Sequence, residues 1–140
     1  MANNEKALWL LGLARHARRL EAGEEPVVIL CRSGKARLVL LASDAGEHTL
    51  RRAENLCRGK NTPLLVAPVT KDELGSALGC NACALCALSD TGFAVSLLQA
   101  MEDCPDAAAL LPQMQQLDGR MRRRRDEARA HRSNVKHGKK

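Results

Sequence analysis

Arg37-Leu38-Val39-Leu40-Leu41-Ala42 is an unbroken apolar run behind one cation, and Ser43-Asp44-Ala45-Gly46-Glu47 follows it directly. A short run without polar alternation reads as a strand covered on both faces. The Asp44 to Glu47 spacing is that of a capping box, so a helix should start there. The same two-part unit recurs. Pro63–Ala67 (PLLVA) precedes Thr70-Lys71-Asp72-Glu73, and Ala82–Leu88 (ACALCAL) precedes Ser89-Asp90. The three following segments carry Leu50, Ala53, Leu56 and Cys57, then Leu74, Ala77 and Leu78, then Phe93, Ala94, Leu97, Leu98 and Met101, all at helical spacing. Strand alternating with helix predicts an α/β class, a three-layer α/β/α sandwich with a small mixed sheet of about four strands.

The flanks extend this pattern. A first helix is expected over about Asn4 to Ala17, capped by Asn3 or Asn4, with Ala7, Leu10, Leu11, Leu13, Ala14 and Ala17 on its buried face. Glu21-Ala22-Gly23 allows a very short strand and a turn, and Gly23-Glu24-Glu25-Pro26 opens a second helix. Proline is tolerated in a first turn, and both glutamates suit the positive helix end. Gly34 can close that helix in a left-handed conformation. Pro105 can start a further helix that Pro112 should limit or kink. Asp118-Gly119 reads as a boundary. The expected organisation is therefore a domain over 1–104, a short helical extension over 105–117 and a basic tail over 118–140 that is disordered or helical only on a partner.

Charge follows the same division. From Met1 to Leu117 there are 12 Lys and Arg against 13 Asp and Glu, whereas from Asp118 to Lys140 there are 10 against 3. The net charge of +6 thus belongs to the tail, and a neutral globule with a polybasic end points to a polyanion such as RNA. The only aromatics are Trp9 and Phe93, which excludes modules that stack bases on several Phe or Tyr rings. The apolar stretch from Ala7 to Ala14 is too short to be a membrane segment and runs into Arg15 and Arg18. The chain is expected to stay in the cytosol, without membrane contact.

Six cysteines stand at positions 31, 57, 80, 83, 86 and 104. In a reducing compartment they are read as small core residues rather than disulfides. Cys80, Cys83 and Cys86 could begin a metal site, but strand placement would send Cys83 and Cys86 to opposite faces, about 10 Å apart. Arg32-Ser33-Gly34-Lys35-Ala36 fails as a phosphate loop, because Ile29 stands where glycine is required and Ala36 where a hydroxyl is required. His16, His48, His131 and His137 have no metal spacing and are read as surface residues. No metal, cofactor or catalytic set is expected, so the chain is read as non-enzymatic.

Several stretches together resemble a known family. They are Leu11-Gly12-Leu13-Ala14-Arg15, the Arg19-Leu20 pair followed by Gly23-Glu24-Glu25, and the long run from Arg32 through Ala42 to Asp44-Ala45. The likeness continues through Asn61-Thr62-Pro63, Lys71-Asp72-Glu73-Leu74-Gly75 with Ala77 and Gly79, and Ser89-Asp90-Thr91-Gly92-Phe93-Ala94. In order and spacing they are similar to the kink-turn-binding ribosomal-protein superfamily of archaea and eukaryotes, and most of all to its small stand-alone bacterial members. The resemblance covers about Lys6 to Met101.

It implies an α/β/α sandwich that binds structured RNA, ribosomal RNA included, with the turn into the second helix pressed into a sharply bent RNA stem. The family motif begins at Gly23, but its RNA-reading Asn is Glu25 here, its Glu is Pro26 and its Lys is Ile29. A second RNA-facing loop would correspond to Cys80, Asn81 and Ala82. Arg15, Arg18, Arg19, Lys35 and Arg37 would position the RNA backbone, amides around Gly23, Glu24 and Glu25 would meet RNA edges, and Arg122, Arg123, Arg124 and Arg125 would add phosphate contacts. The competing expectation is a module that binds a protein of the translation or ribosome-assembly machinery and leaves RNA to the tail. A basic surface at the Gly23 end would favour the first reading, an exposed apolar patch elsewhere the second.

Overall fold

Two strands buried on both faces organise the chain: β2 (Leu38–Leu41) and β4 (Leu85–Leu88), every residue of which is buried. They pair antiparallel with Leu40 opposite Cys86 and Leu38 opposite Leu88. Strand residues alternate between faces, so Leu38, Leu40, Cys86 and Leu88 enter one apolar cluster while Val39, Leu41, Leu85 and Ala87 enter another. β3 (Leu64–Val66) adds in parallel to β2, and β1 (Leu20–Ala22) adds antiparallel to β4, giving the order β1-β4-β2-β3. The computed structural model describes residues 4–138, with side-chain surroundings through residue 133.

Helices α1 (Asn4–His16), α4 (Lys71–Leu78), α5 (Thr91–Ala100) and α6 (Pro105–Gly138) supply the first cluster, and α2 (Glu24–Arg32) and α3 (Glu47–Lys60) the second. The sandwich and its mixed four-strand sheet are as expected. With Trp9 62% exposed and Phe93 half-buried, the cores are almost wholly Leu, Ala, Val and Cys. Leu13 and Ala17 are exposed, so the buried stripe of α1 is narrower than its composition suggested. Asn4 opens α1 and donates to the Pro68 carbonyl at 2.9 Å; Asn3 lies outside the described residues.

Three of the expected helix-end signals form and one does not. Thr70 and Glu73 form a reciprocal capping box, and the Asp90 carboxylate accepts from the Phe93 N–H at 2.9 Å. Gly34 takes φ +75° beyond the end of α2, as a left-handed closure requires. The Asp44 box does not form: Gly46 caps α3, and the Asp44 carboxylate instead accepts from the Lys71 N–H at 2.8 Å. Asp44 therefore ties the start of α4 to the end of β2.

The largest departure is at the C-terminus. Pro112 does not end the helix, and Asp118-Gly119 is not a break: α6 runs unbroken for 34 residues. Pro112 and Ala108 both lie on the exposed face, so the carbonyl deprived of a helical partner faces water. Ala107, Met114 and Asp118 form the buried stripe against the domain. Asp118 accepts from the Thr91 hydroxyl at 2.8 Å and from the Arg122 guanidinium at 3.0 Å. A residue read as a boundary is thus the latch between α6 and the start of α5. Beyond Met121 every described side chain is exposed.

Removing the latch leaves the buried Thr91 hydroxyl without its acceptor. Asp118→Ala is expected to lower unfolding stability by about 1–3 kcal/mol in urea titrations, and Asp118→Asn, which keeps an acceptor oxygen, should lose less. Equal stability of all three proteins would mean that the Thr91 bond contributes nothing.

Candidate nucleic-acid interface

The sheet is only four residues deep at its centre, so it has two close but distinct ends, about 13 Å apart at 3.3 Å per residue. Gly23 marks one. Its N–H donates to the Leu85 carbonyl at 2.9 Å, and the Ala42 N–H donates to Ala84 beside it. Gly23 has φ +96°, a conformation that L side chains rarely adopt, and it turns the chain from β1 directly into α2. No side chain caps that helix. Glu24 and Glu25 occupy the first turn and complement its exposed amides.

The second expected loop converges on the same end. α4 closes at Gly79 with φ +80°, the Cys80 N–H returns to the Gly75 carbonyl at 2.8 Å, and the Cys83 N–H donates to Lys71 at 3.0 Å. Cys80, Asn81 and Ala82 are left exposed. A groove of about 420 Å³ lies between this loop and the Gly23 turn, and Arg15, Thr49 and Glu24 also line it. The structure thus unites Arg15, Gly23, Glu24, Cys80 and Ala82. Arg52 of α3 pairs with Glu24 at 2.9 Å. Neither Arg52 nor Thr49 carried a local sequence signal; the close packing of α3 on α2 brings them there. Ile29 is 69% exposed on α2.

Four other candidate cations are not at this end. The Arg19 carbonyl accepts from Ser89 at 2.9 Å and the Arg37 N–H donates to Leu88 at 2.7 Å, which puts Arg18, Arg19, Lys35 and Arg37 on chain segments at the opposite, Ser89 end. Arg124 and Arg125 join Arg37 there, around a second groove of about 320 Å³. Arg122 is held by Asp118, and Arg123 is exposed. The basic surface expected at the Gly23 end does not form: among the described residues Arg15 and Arg52 stand there with Glu24 and Glu25, and the other candidate cations gather at the Ser89 end.

The cysteine argument also changes. β4 begins at Leu85, because the Cys83 N–H is spent on α4; Cys83 and Cys86 then enter the same apolar cluster instead of opposite faces. Among the described residues no three His, Cys, Asp or Glu side chains could hold a metal ion. His16, His48 and His131 are exposed; the side chain of His137 lies outside the described surroundings. No helix among the described residues is long and apolar enough to cross a membrane.

With this geometry in view, comparison with known proteins is decisive. The family model described as "Ribosomal protein L7Ae/L30e/S12e/Gadd45 family" matches residues 5–97. The chain belongs to that family. It is 33% identical over 93 residues to the RNA-binding protein YlxQ of Bacillus subtilis (strain 168), covering 66% of this chain and 92% of that one. A YlxQ of Enterococcus faecium is 40% identical over 53 residues, covering 38% of this chain and 52% of its own. A solved structure of a Bacillus halodurans protein of unknown function shares 37% identity at TM-score 0.64, over 69% of this chain and 97% of that one. The Giardia lamblia 15.5kD RNA binding protein, at 16% identity, TM-score 0.57 and coverage of 74% and 88%, shares the fold. Residues 98–138, including all of α6, lie outside the family match.

Two outcomes test this geometry. A Cβ on Gly75 would stand 2.7 Å from the Ala82 backbone, so Gly75→Ala must displace the Cys80–Ala82 loop and is expected to destabilise by about 1–3 kcal/mol, with amide shifts concentrated at residues 80–84. Burial pushes the Cys57 thiol up to about 12, with nearby Cys31 adding to it, and also raises Cys83 and Cys86. The folded thiols then keep protons that unfolded thiols release near their ordinary 9.0. Stability should be fully present below about pH 9 and fall as pH rises above it, which urea midpoints measured across that range will show.

Proposed function

We propose that the chain is a non-enzymatic protein that binds structured RNA, ribosomal RNA included, and that it does so in the cytoplasm. One observation carries this reading: the Gly23 turn and the Cys80–Ala82 loop, separated by more than 50 residues of sequence, meet around one groove with Arg15 at its wall. Backbone amides at an uncapped helix start and an exposed Asn81 suit the edges of an unpaired or bent RNA segment, whose bases are open to hydrogen bonding. Relatives that carry the name RNA-binding protein support it.

Recognition of a kink-turn is weakened in this chain. Glu24 is paired with Arg52, but Glu25 is exposed at the turn, where its charge repels phosphates. Pro26 removes a backbone donor from the first turn of α2, and Ile29 offers neither charge nor hydrogen bonds. The globule supplies shape complementarity and α6 supplies phosphate contacts.

A protein partner from translation or ribosome assembly is the second reading, and the exposed Trp9 favours it. Trp9 and Leu13 of α1 face Ser76 and Ala77 of α4 across a groove of about 730 Å³, which Asp72 and Glu73 border. Trp9→Ala should leave RNA affinity unchanged if RNA is the ligand, because this groove is separate from the Gly23 groove.

The decisive measurement is a gel-shift comparison, at fixed salt, of a kink-turn RNA with a straight duplex of equal length. The unmodified protein should prefer the kink-turn by less than the roughly 4 kcal/mol at the low end of specific nucleic-acid recognition. Glu25→Asn, Pro26→Glu and Ile29→Lys together should widen that preference, whereas a lysine added elsewhere should strengthen both complexes alike. Tight, selective binding by the unmodified protein would overturn the reading of this turn, and no binding of either RNA would overturn the RNA reading itself.

A further inference from the structure

The two ends of the sheet differ in charge. At the Gly23 end, Arg15 and the Arg52–Glu24 pair stand with Glu25, leaving the charge balanced. At the Ser89 end, Arg37 comes from the entrance of β2 and Arg124 and Arg125 from α6, and the three line one groove with Asp90, Thr91 and Met121. Asp90 is the only acid in that groove, and its carboxylate caps α5. Asp118 is occupied by Thr91 and Arg122, and Asp126 and Glu127 follow the arginines on α6 but do not line the groove. Arg18, Arg19 and Lys35 leave the chain at this same end.

This juxtaposition is built by the fold. The Asp118 latch fixes the angular setting of α6, so that of the exposed helix it is Met121, Arg124, Arg125 and Ala128, one turn apart and on one face, that look toward Arg37. Arg132 continues that face, and from Arg124 to Arg132 the helix advances about 12 Å at 1.5 Å per residue. Such a track is longer than a single anion and fits a run of backbone phosphates. Arginine suits it, because its planar fork contacts phosphate oxygens in pairs. A membrane surface is a poorer fit, since among the residues of α6 with described side chains beyond the half-buried Met121 the apolar ones are Ala128 and Ala130.

We propose that the groove formed by Arg37, Arg124 and Arg125, at the end of the sheet opposite the Gly23 turn, is a second RNA site that holds the phosphate backbone of a duplex segment. The proposal rests on the RNA-binding reading above but not on the Gly23 turn. Contacts of this kind carry no base preference, so the site takes straight duplex RNA.

The test compares two full-length variants that lose the same charge. One carries Arg37→Gln, Arg124→Gln and Arg125→Gln. The other carries Arg120→Gln, Arg123→Gln and Arg129→Gln, each about a quarter turn or more from the centre of the groove face at 100° per residue. Binding of a labelled straight RNA duplex is followed by anisotropy between about 50 and 200 mM salt. The groove variant should lose about tenfold in affinity and its log–log salt slope should become shallower by about 2 to 3, against about twofold and less than one in the control. Arg37→Lys with Arg124→Lys and Arg125→Lys keeps the charge but not the paired contacts, so its affinity should fall between the unmodified protein and the Gln variant while its salt slope stays close to the unmodified one.

Equal losses in the two Gln variants would make α6 a diffuse polycation and overturn the site. Loss in the Lys variant as deep as in the Gln variant would make the effect structural and overturn it too. Unchanged binding in both Gln variants would overturn the groove while leaving RNA binding at the Gly23 end standing. An unmodified protein that ignores duplex and kink-turn RNA, yet binds anionic vesicles or polyglutamate, would overturn both readings.

Discussion

Everything in this molecule depends on a sheet that is narrow, short and buried on both faces. β2 and β4 are each four residues long, and their alternating side chains feed two separate cores. Fully burying a leucine is worth about 1.5–3 kcal/mol, and Leu38, Leu40, Leu41 and Leu88 are all at least 98% buried. A chain with almost no aromatic residues has few other ways to gather that much buried area. Small residues then allow close approach. Gly75 lies against the Ala82 backbone with no room for a methyl group, and this contact holds the exposed Cys80–Ala82 loop beside the Gly23 turn.

The shortness of the strands also has an electrostatic consequence. Loops at the two ends of the sheet are separated by only about a dozen ångströms, yet they face in opposite directions and carry different charge. The Gly23 end presents backbone amides, an exposed Asn81 and a balanced set of side chains. At the Ser89 end, cations from β2 and α6 converge. Shape and hydrogen bonding are suited to the first end, phosphate attraction to the second. Contacts to phosphate set affinity and salt dependence, and contacts to base edges set specificity. In the proposed reading, keeping these roles at two ends would let Glu25, Pro26 and Ile29 alter selectivity at one end while phosphate attraction at the other is kept.

α6 connects these features. Its first half is a domain helix, packed through Ala107 and Met114, and its second half is an exposed basic rod. Asp118 sits where the two meet. Its carboxylate takes a hydrogen bond from Thr91 inside the domain and a charged one from Arg122 on the rod. Bonds to a charged group in a buried setting are stronger than neutral ones, about 1.5–3 kcal/mol. Together with Ala107 and Met114, the Asp118 side chain sets which faces of the 34-residue helix meet the domain and which meet solvent.

The amino-acid sequence by itself determined the class of fold. Doubly buried strands such as Leu38–Leu41, the Thr70–Glu73 capping box and the glycine closures are local signals, because each depends on residues close together in sequence. Residue order likewise carried the family resemblance that the match over residues 5–97 established. Tertiary structure alone decided which residues act together. That Arg52 neutralises Glu24, that Arg15 reaches the Cys80 loop, and that Arg18, Arg19, Lys35 and Arg37 belong to the far end of the sheet follows from strand register and helix packing. The same holds for the tail, whose polar composition read as disorder or as a helix formed only on a partner, while its helix is continuous with a buried stripe ending at Asp118. Composition records what a segment contains; a buried hydrogen bond to a threonine 27 residues away is visible only once the chain has folded back on itself.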